Sequence, residues 1–402
     1  MIKSLKTVLI QIRTLPLVLS SNFDWRATNP VRAAMQIPKY IPQFDGLRGI
    51  AILAVLLAHL SRIESLGFAH YFQYGRTGVD LFFVLSGFLI TGILLDTKTL
   101  PGYFKNFYAR RALRIWPLYY GILLLFFVLF PILFPQHSFL TDRTTWPYFV
   151  TYTQNLFYHF DFSIPLGPTW SLAVEEQYYM IWAPVVFLFG GKSLRNILLG
   201  MIVFSLCFRV ASFYAGEPND FVHNFTLCRL EPLAAGGLAA LWLRSEKCTP
   251  VKWARGGMMA LTVGLAGIAL ALVDWGPAVP VYTYPFLASA FAGMLALSLT
   301  ADPENSFVGR ALTQRWLMYT GRISYGVYLI HVPIFLGVDL AARKIWGQSH
   351  VSLVKQAMIL CAAFATVFLV ASISWFCFEQ PILRLKEYFR SEKPALAGTA
   401  AK

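Results

Sequence analysis

Apolar runs separated by short basic or polar breaks repeat along this sequence. Ten of them approach the ~20 residues that a helix needs to cross the hydrocarbon core of a bilayer. They cover roughly 47–64, 78–95, 115–134, 171–190, 195–215, 229–243, 256–274, 281–300, 321–339 and 354–378. The sixth is the shortest, interrupted by Glu231, Pro232 and the Gly236-Gly237 pair. The pattern predicts an all-α, polytopic integral membrane protein of about ten helices in one bundle, with residues 41–383 as the membrane domain. Residues 1–40 precede it. Their apolar stretch, Val8 to Leu19, is short and broken by Gln11 and Arg13, which reads as an interfacial helix rather than a secretion signal. Residues 384–402 read as a tail.

The breaks differ in charge. The N-terminal segment, the stretches near 96–114, 191–195, 244–255 and 301–322, and the C-terminal tail hold 25 of the 34 Lys and Arg. The opposite set holds seven. Basic flanks stay in the cytoplasm, so both termini are expected there. The net charge of +14 is then a topology signal and not a nucleic-acid surface. Only 13% of residues are charged, about half the roughly 25% of a soluble domain, and 57% are hydrophobic. Soluble, disordered and fibrous classes are excluded. Five cysteines (Cys207, Cys228, Cys248, Cys361, Cys377) form no CxxC pair and sit mostly in apolar runs, which argues against a disulfide framework or a metal site. The long break near 134–170 is aromatic (Trp146, Tyr148, Tyr152, Tyr158) and contains His137 and His159.

Ionisable groups inside spans are costly and are functional candidates by default. Arg48 and His59 lie eleven residues apart in the first span, about three turns, so they share one face about 16 Å apart. Each alone reads as a topology anchor or a hydrogen-bonded bundle histidine; as a coplanar pair they point to function. Asp80, in the second span, enters at a depth comparable with His59, where it can orient the imidazole or pair with Arg76. Ser86 and Gly87 read as close-packing residues. Arg111 and Arg114 face one way and could grip phosphate groups, although from spacing alone ordinary positive-inside anchoring is the better reading. Glu175 and Glu176 are adjacent and cannot share a helix face, so one turns into the bundle and the other toward loops or water. His331 reads first as a structural hydrogen-bonding residue, then as a catalytic one. Arg209 must have a partner that the sequence does not name. No Walker, GxSxG, HExxH or Rossmann motif is present.

Six segments in order resemble the acyltransferase-3 family of bacterial membrane proteins. They are FDGLRG with its Arg-x10-His spacing (Arg48, His59), GVDLFFVLSGFLI (78–90), RRALRIWPLYY (110–120), WSLAVEEQYY (170–179), GRISYGVYLIH (321–331) and WFCFEQP (375–381). The resemblance implies ten helices in the bacterial inner membrane and transfer of an acyl group, commonly acetyl from acetyl-CoA. It further implies a hydroxyl of an extracytoplasmic carbohydrate or glycolipid as acceptor: O-antigen, exopolysaccharide or peptidoglycan. It makes Arg48 and His59 essential. Some members carry a further periplasmic hydrolase-like domain, so a separate periplasmic partner is one expectation.

Joined to the polar positions, this gives a scheme. Acyl-CoA, a substrate and not a tightly bound cofactor, docks its phosphates on Arg48, Arg111 and Arg114. His59 acts as general base on the sugar hydroxyl, with Glu175 or Asp80 orienting it, and with Glu176, Tyr325 and His331 as further orienting or substrate-contacting positions. Direct attack and a transient acyl-histidine both stay open. The rival readings are a secondary transporter, against which no repeat between halves is seen, and a scaffold subunit of a glycan-export complex.

Overall fold

A computed structural model describes residues 40–66, 68–133, 143–156, 165–274, 279–347 and 352–389. Among the described residues ten principal helices carry the fold: α1 Pro42–His59, α2 Gly78–Thr97, α3 Tyr103–Leu124, α4 Trp170–Leu188, α5 Gly191–Tyr214, α6 Leu230–Leu243, α7 Pro250–Asp274, α8 Val279–Thr300, α9 Ser324–Trp346 and α10 Leu353–Ser374. Among the described residues there is no β-strand. Each of the ten predicted runs overlaps one of these helices. The segment before residue 40, the tail beyond 389, and His137, Tyr158 and His159 lie outside the described residues.

Eight of the helical stretches are long and apolar enough to cross a membrane. The two predicted spans outside that group are α4 and α6, for different reasons. α4 has 19 residues but spends several on Glu175, Glu176, Gln177, Tyr178 and Tyr179. α6 has 14 residues, only about 21 Å of helix, too short to span alone. α6 lies inside the bundle, packed against α2, α5 and α8, where apolar neighbours replace lipid. α4 buries its polar first half and leaves Met180, Ile181, Phe187 and Leu188 exposed on its second.

Local chemistry sets the ends and irregularities. α1 begins on Pro42, whose fixed φ suits a first turn. α3 starts after Gly102 at φ 72°, and α9 stops at Gly347 at φ 77°. The helices of α3 and α10 each run into a widened π-helical stretch, Leu125–Leu129 and Trp375–Glu379, shortly before Pro131 and Pro381. A proline removes an amide donor and crowds the carbonyl four residues back, and a wider turn relieves both.

Glycines allow the tightest crossings. A side chain at Gly87 of α2 would strike the Leu233 backbone of α6, and one at Gly236 would strike Val84. In FDGLRG, Gly46 lies on the Leu312 backbone and Gly49 on Leu317, while Gly321 faces Asp45. These glycines let the short helix Arg315–Arg322 seat against α1 and fix the Asp45–Arg48 turn. The WSLAVEEQYY and GVDLFFVLSGFLI segments meet through Trp170 and Phe83, whose rings are edge to face at 6.1 Å.

Two sealed ion pairs tie α2, α5, α6 and α8 together. Arg209 grips Glu231 with two 2.5 Å hydrogen bonds and also donates to the carbonyls of Cys228 and Val281. Arg229 donates to Asp80 at 2.7 Å. The Tyr284 ring lies under both guanidinium groups, 4.8 and 4.2 Å from their carbons. All four charged residues are buried.

Candidate active site

α1 runs from the basic end of the bundle toward the opposite end, with Arg48 in its second turn and His59 as its last residue. Both are half-buried. Arg48 keeps 19% of its side chain accessible and donates to Asp45 at 3.0 Å. The second oxygen of Asp45 accepts from Tyr40 and, at 3.4 Å, from Arg322. Burial first, and then the Asp45 carboxylate, push the Tyr40 hydroxyl up to about 12. Arg111 and Arg114 on α3 face the same end, and like-charge repulsion links Arg114 to Arg48 and Arg111.

Farther in, Glu175 of α4 accepts a 2.5 Å hydrogen bond from the Ser86 hydroxyl of α2. The charges of Arg111 and Arg114 act on this carboxyl group, and Tyr179, one helical turn along α4, interacts with it. The Arg111 guanidinium lies 5.5 Å from the Tyr179 ring centre. Glu175 and Ser86 are half-buried although they sit in the bundle interior. The arginines and Glu175 therefore form a graded polar wall, cationic at the basic end and carboxylic beyond it.

At the far end, the His59 ring meets the His331 ring of α9, centres 4.8 Å apart and planes at 70°. His59 Nδ1 lies 2.9 Å from the Val55 carbonyl one turn back, and His331 Nδ1 lies 2.7 Å from the Tyr328 carbonyl. A carbonyl only accepts, so each Nδ1 carries the proton and each Nε2 presents a lone pair. That is the tautomer a general base needs. His331 is fully buried, and its Nε2 has no partner among the described residues. Half-buried His59 is the reachable one.

Other sequence candidates lie elsewhere. Asp80 is held by Arg229 and not by His59 or Arg76, a correction that the 149-residue separation of the pair explains, since no local pattern encodes it. Ser86 is a donor to Glu175 as well as a packing residue beside Gly87. Glu176 turns away from Glu175 and accepts from Trp116 Nε1 at 3.2 Å, with its other oxygen unpartnered among the described residues. Tyr325 donates to the Ile115 carbonyl at 2.6 Å, bracing α9 on α3. The unnamed partner of Arg209 is Glu231.

The sequence reading also missed His223. It packs its ring 5.2 Å from Trp170 and bonds Tyr284 through Nδ1. It lies on the short helix Asn219–Asn224, in no predicted span, so no buried-charge signal marked it.

The family of acyltransferase domains of the acyltransferase-3 type matches residues 41–376. The peptidoglycan O-acetyltransferase OatA of Listeria monocytogenes is 28% identical over 383 residues, covering 88% of this chain and 58% of that protein. YrhL of Bacillus subtilis is 30% identical over 380 residues, covering 86% and 55%. The O-acetyltransferase OatA of Staphylococcus aureus is 28% identical over 383 residues, covering 87% and 58%. The chain thus spans less than two thirds of the length of these relatives. No solved structure matches it. The family match runs from the first residues of α1 to the end of α10, through every segment that builds the polar wall and the histidine pair: the chain belongs to the acyltransferase-3 family.

Proposed function

We propose that this protein is a multi-pass membrane O-acyltransferase that moves an acyl group, acetyl in the simplest case, from acyl-CoA to a hydroxyl of a carbohydrate on the other side of the membrane. The supporting observation is the sequence of half-buried polar groups from Arg48, Arg111 and Arg114, past Ser86 and Glu175, to the open lone pair of His59. The basic end is the cytoplasmic one by the positive-inside bias, which places the arginines where acyl-CoA is made. Both termini are then cytoplasmic, in the inner membrane. The relatives named as peptidoglycan O-acetyltransferases favour a cell-envelope glycan as acceptor.

In this scheme the phosphates of CoA rest on the arginines and the pantetheine arm extends inward. His59 Nε2 takes the proton of the acceptor hydroxyl as its oxygen attacks the thioester carbon. The carbon–sulfur bond breaks, and His59 returns the proton to the departing CoA thiolate. The Val55 carbonyl holds Nδ1–H throughout, fixing which nitrogen reacts. Glu175, held by Ser86, lies between the arginines and the histidines and polarises or orients the reacting groups.

The decisive experiment has two arms. Mass spectrometry of envelope glycans from cells with and without the gene should show one acyl increment lost, which identifies acyl group and acceptor together. Purified protein in vesicles, given radiolabelled acetyl-CoA and that acceptor, should transfer label with no ion gradient. Identical glycans in the two strains, or transfer that requires a gradient, overturn the reading.

A further inference from the structure

Lys386 lies in the turn Leu385–Phe389, beyond the end of the last helix and at the basic end of the bundle. Sequence reading places it in a solvated tail. The fold instead packs this turn back on α3, whose Arg110, Arg111 and Arg114 fall within little more than one helical turn. Lys386 is half-buried there. The charges that bear on it are those of Arg114, Arg111, Arg110 and Arg48, all positive.

The carboxylates Asp45, Glu175 and Glu379, which act on these arginines, are fewer than the five cations Arg48, Arg110, Arg111, Arg114 and Lys386. Asp45 is shared by Tyr40, Arg48 and Arg322, and Glu379, beside Arg114, accepts from Ser374 at 3.1 Å. Neither Arg114 nor Lys386 has a hydrogen-bond or ion-pair partner among the described residues. Cations gathered in a partly desolvated corner repel one another. A chain retains such an arrangement when an anion of matching charge relieves it. Guanidinium forks fit phosphate oxygens in pairs, and an ammonium adds a compact point charge.

We propose that Lys386 completes a polyphosphate site with Arg48, Arg111 and Arg114 and takes the 3′-phosphate of the CoA donor. This rests on the acyl-CoA reading above. Arg48 shares α1 with His59 and so lies on the side of the reacting thioester. Lys386 lies past the last helix, on the side away from His59, where the nucleotide end of an extended donor falls. Its role is selectivity between phosphorylated and dephosphorylated donors, not chemistry.

The test needs no acceptor. The full chain, purified and reconstituted, is titrated with CoA and with dephospho-CoA. Wild type is expected to bind CoA about tenfold more tightly than dephospho-CoA, a gap of ~1.4 kcal/mol. Lys386→Met should close that gap by weakening CoA alone, and Lys386→Arg should keep most of it. Repeating the titrations in zwitterionic vesicles and in vesicles containing phosphatidylglycerol separates the donor phosphate from a lipid headgroup. An intact gap in Lys386→Met overturns the assignment while leaving the donor reading in place. So does a Lys386 effect seen only with phosphatidylglycerol, which marks a headgroup site. Failure of folded wild type to bind either compound removes the donor reading and this proposal with it.

Discussion

Arg209 and Arg229 are fully enclosed and each meets a carboxylate at 2.5–2.7 Å, whereas Arg48, Arg111 and Arg114 are half-buried and share few counter-charges. Both sets are guanidinium groups within one helical bundle. Arg209 is satisfied by the protein alone, through Glu231, the Cys228 and Val281 carbonyls and the Tyr284 ring. Arg229 has its charge met by Asp80 and its face by Tyr284, while its Nε and one Nη have no hydrogen-bond partner among the described residues, sealed away from any ligand. The second set is left half-buried beside a polar wall that continues to Glu175. Charge inside a membrane protein therefore points to chemistry only when its partners are incomplete and it can be reached. The sealed set holds helices together; the open set is the one proposed above to receive the donor.

The strongest challenge to this contrast is His59→Ala. Loss of a general base should lower transfer by ~10²–10⁴-fold, read as loss of the acylated glycan by mass spectrometry, with insertion and thermal unfolding in detergent unchanged. Normal acylation would move His59 into the structural group. Arg209→Ala tests the sealed side. It strands Glu231 in a dry interior and should cost about 3–5 kcal/mol of stability, seen as a lower unfolding midpoint and less monodisperse protein. The double variant Arg209→Met with Glu231→Leu should recover most of that loss, since apolar residues of similar volume replace a buried pair at little cost. Activity lost without any loss of stability would place this pair in the chemistry.

Smaller effects sharpen the boundary. Ser86→Ala removes the donor to Glu175 and should cost ~1 kcal/mol of transition-state stabilisation, roughly fivefold in kcat/KM, with an unfolding midpoint close to wild type. Equal losses in stability and rate would make Ser86 a packing residue alone. The mildest change is Tyr40→Phe. The folded state holds the Tyr40 proton up to about 12, above the ordinary value of 10.0. Its contribution is complete below pH 10 and fades as pH rises toward 12. Unfolding midpoints between about pH 9 and 12 should fall less steeply in the variant than in wild type. Parallel curves would show that Tyr40 adds nothing to the Asp45–Arg48 turn.

The helices were legible because lipid imposes a long apolar period on each span, and that signal is local. Even the weak sixth run, broken by Glu231 and a glycine pair, corresponds to a real helix, α6. What hydropathy does not register is that α6 works from the interior, where neighbouring helices replace lipid, and that α4 buries its polar half there. Partners were harder to read. Arg229 and Asp80 are 149 residues apart, and Ser86 and Glu175 are 89 apart, so only the assembled bundle introduces them. Arg229 sits in a connecting segment and counts as one more basic loop residue until its burial is seen. His223 escaped for the same reason. By contrast, Arg48 and His59 share one helix, where spacing alone fixes their relative direction.

The anchor of the His59 ring has a mechanical corollary. Its carbonyl partner, Val55, belongs to the same helix one turn back, so no neighbouring strut is needed to keep the imidazole aimed. On the acyltransferase reading proposed above, the surrounding side chains can shift around an acceptor while Nε2 keeps its heading. On that reading, substitutions in the neighbouring helices can change which acceptor fits without disturbing the heading of the ring.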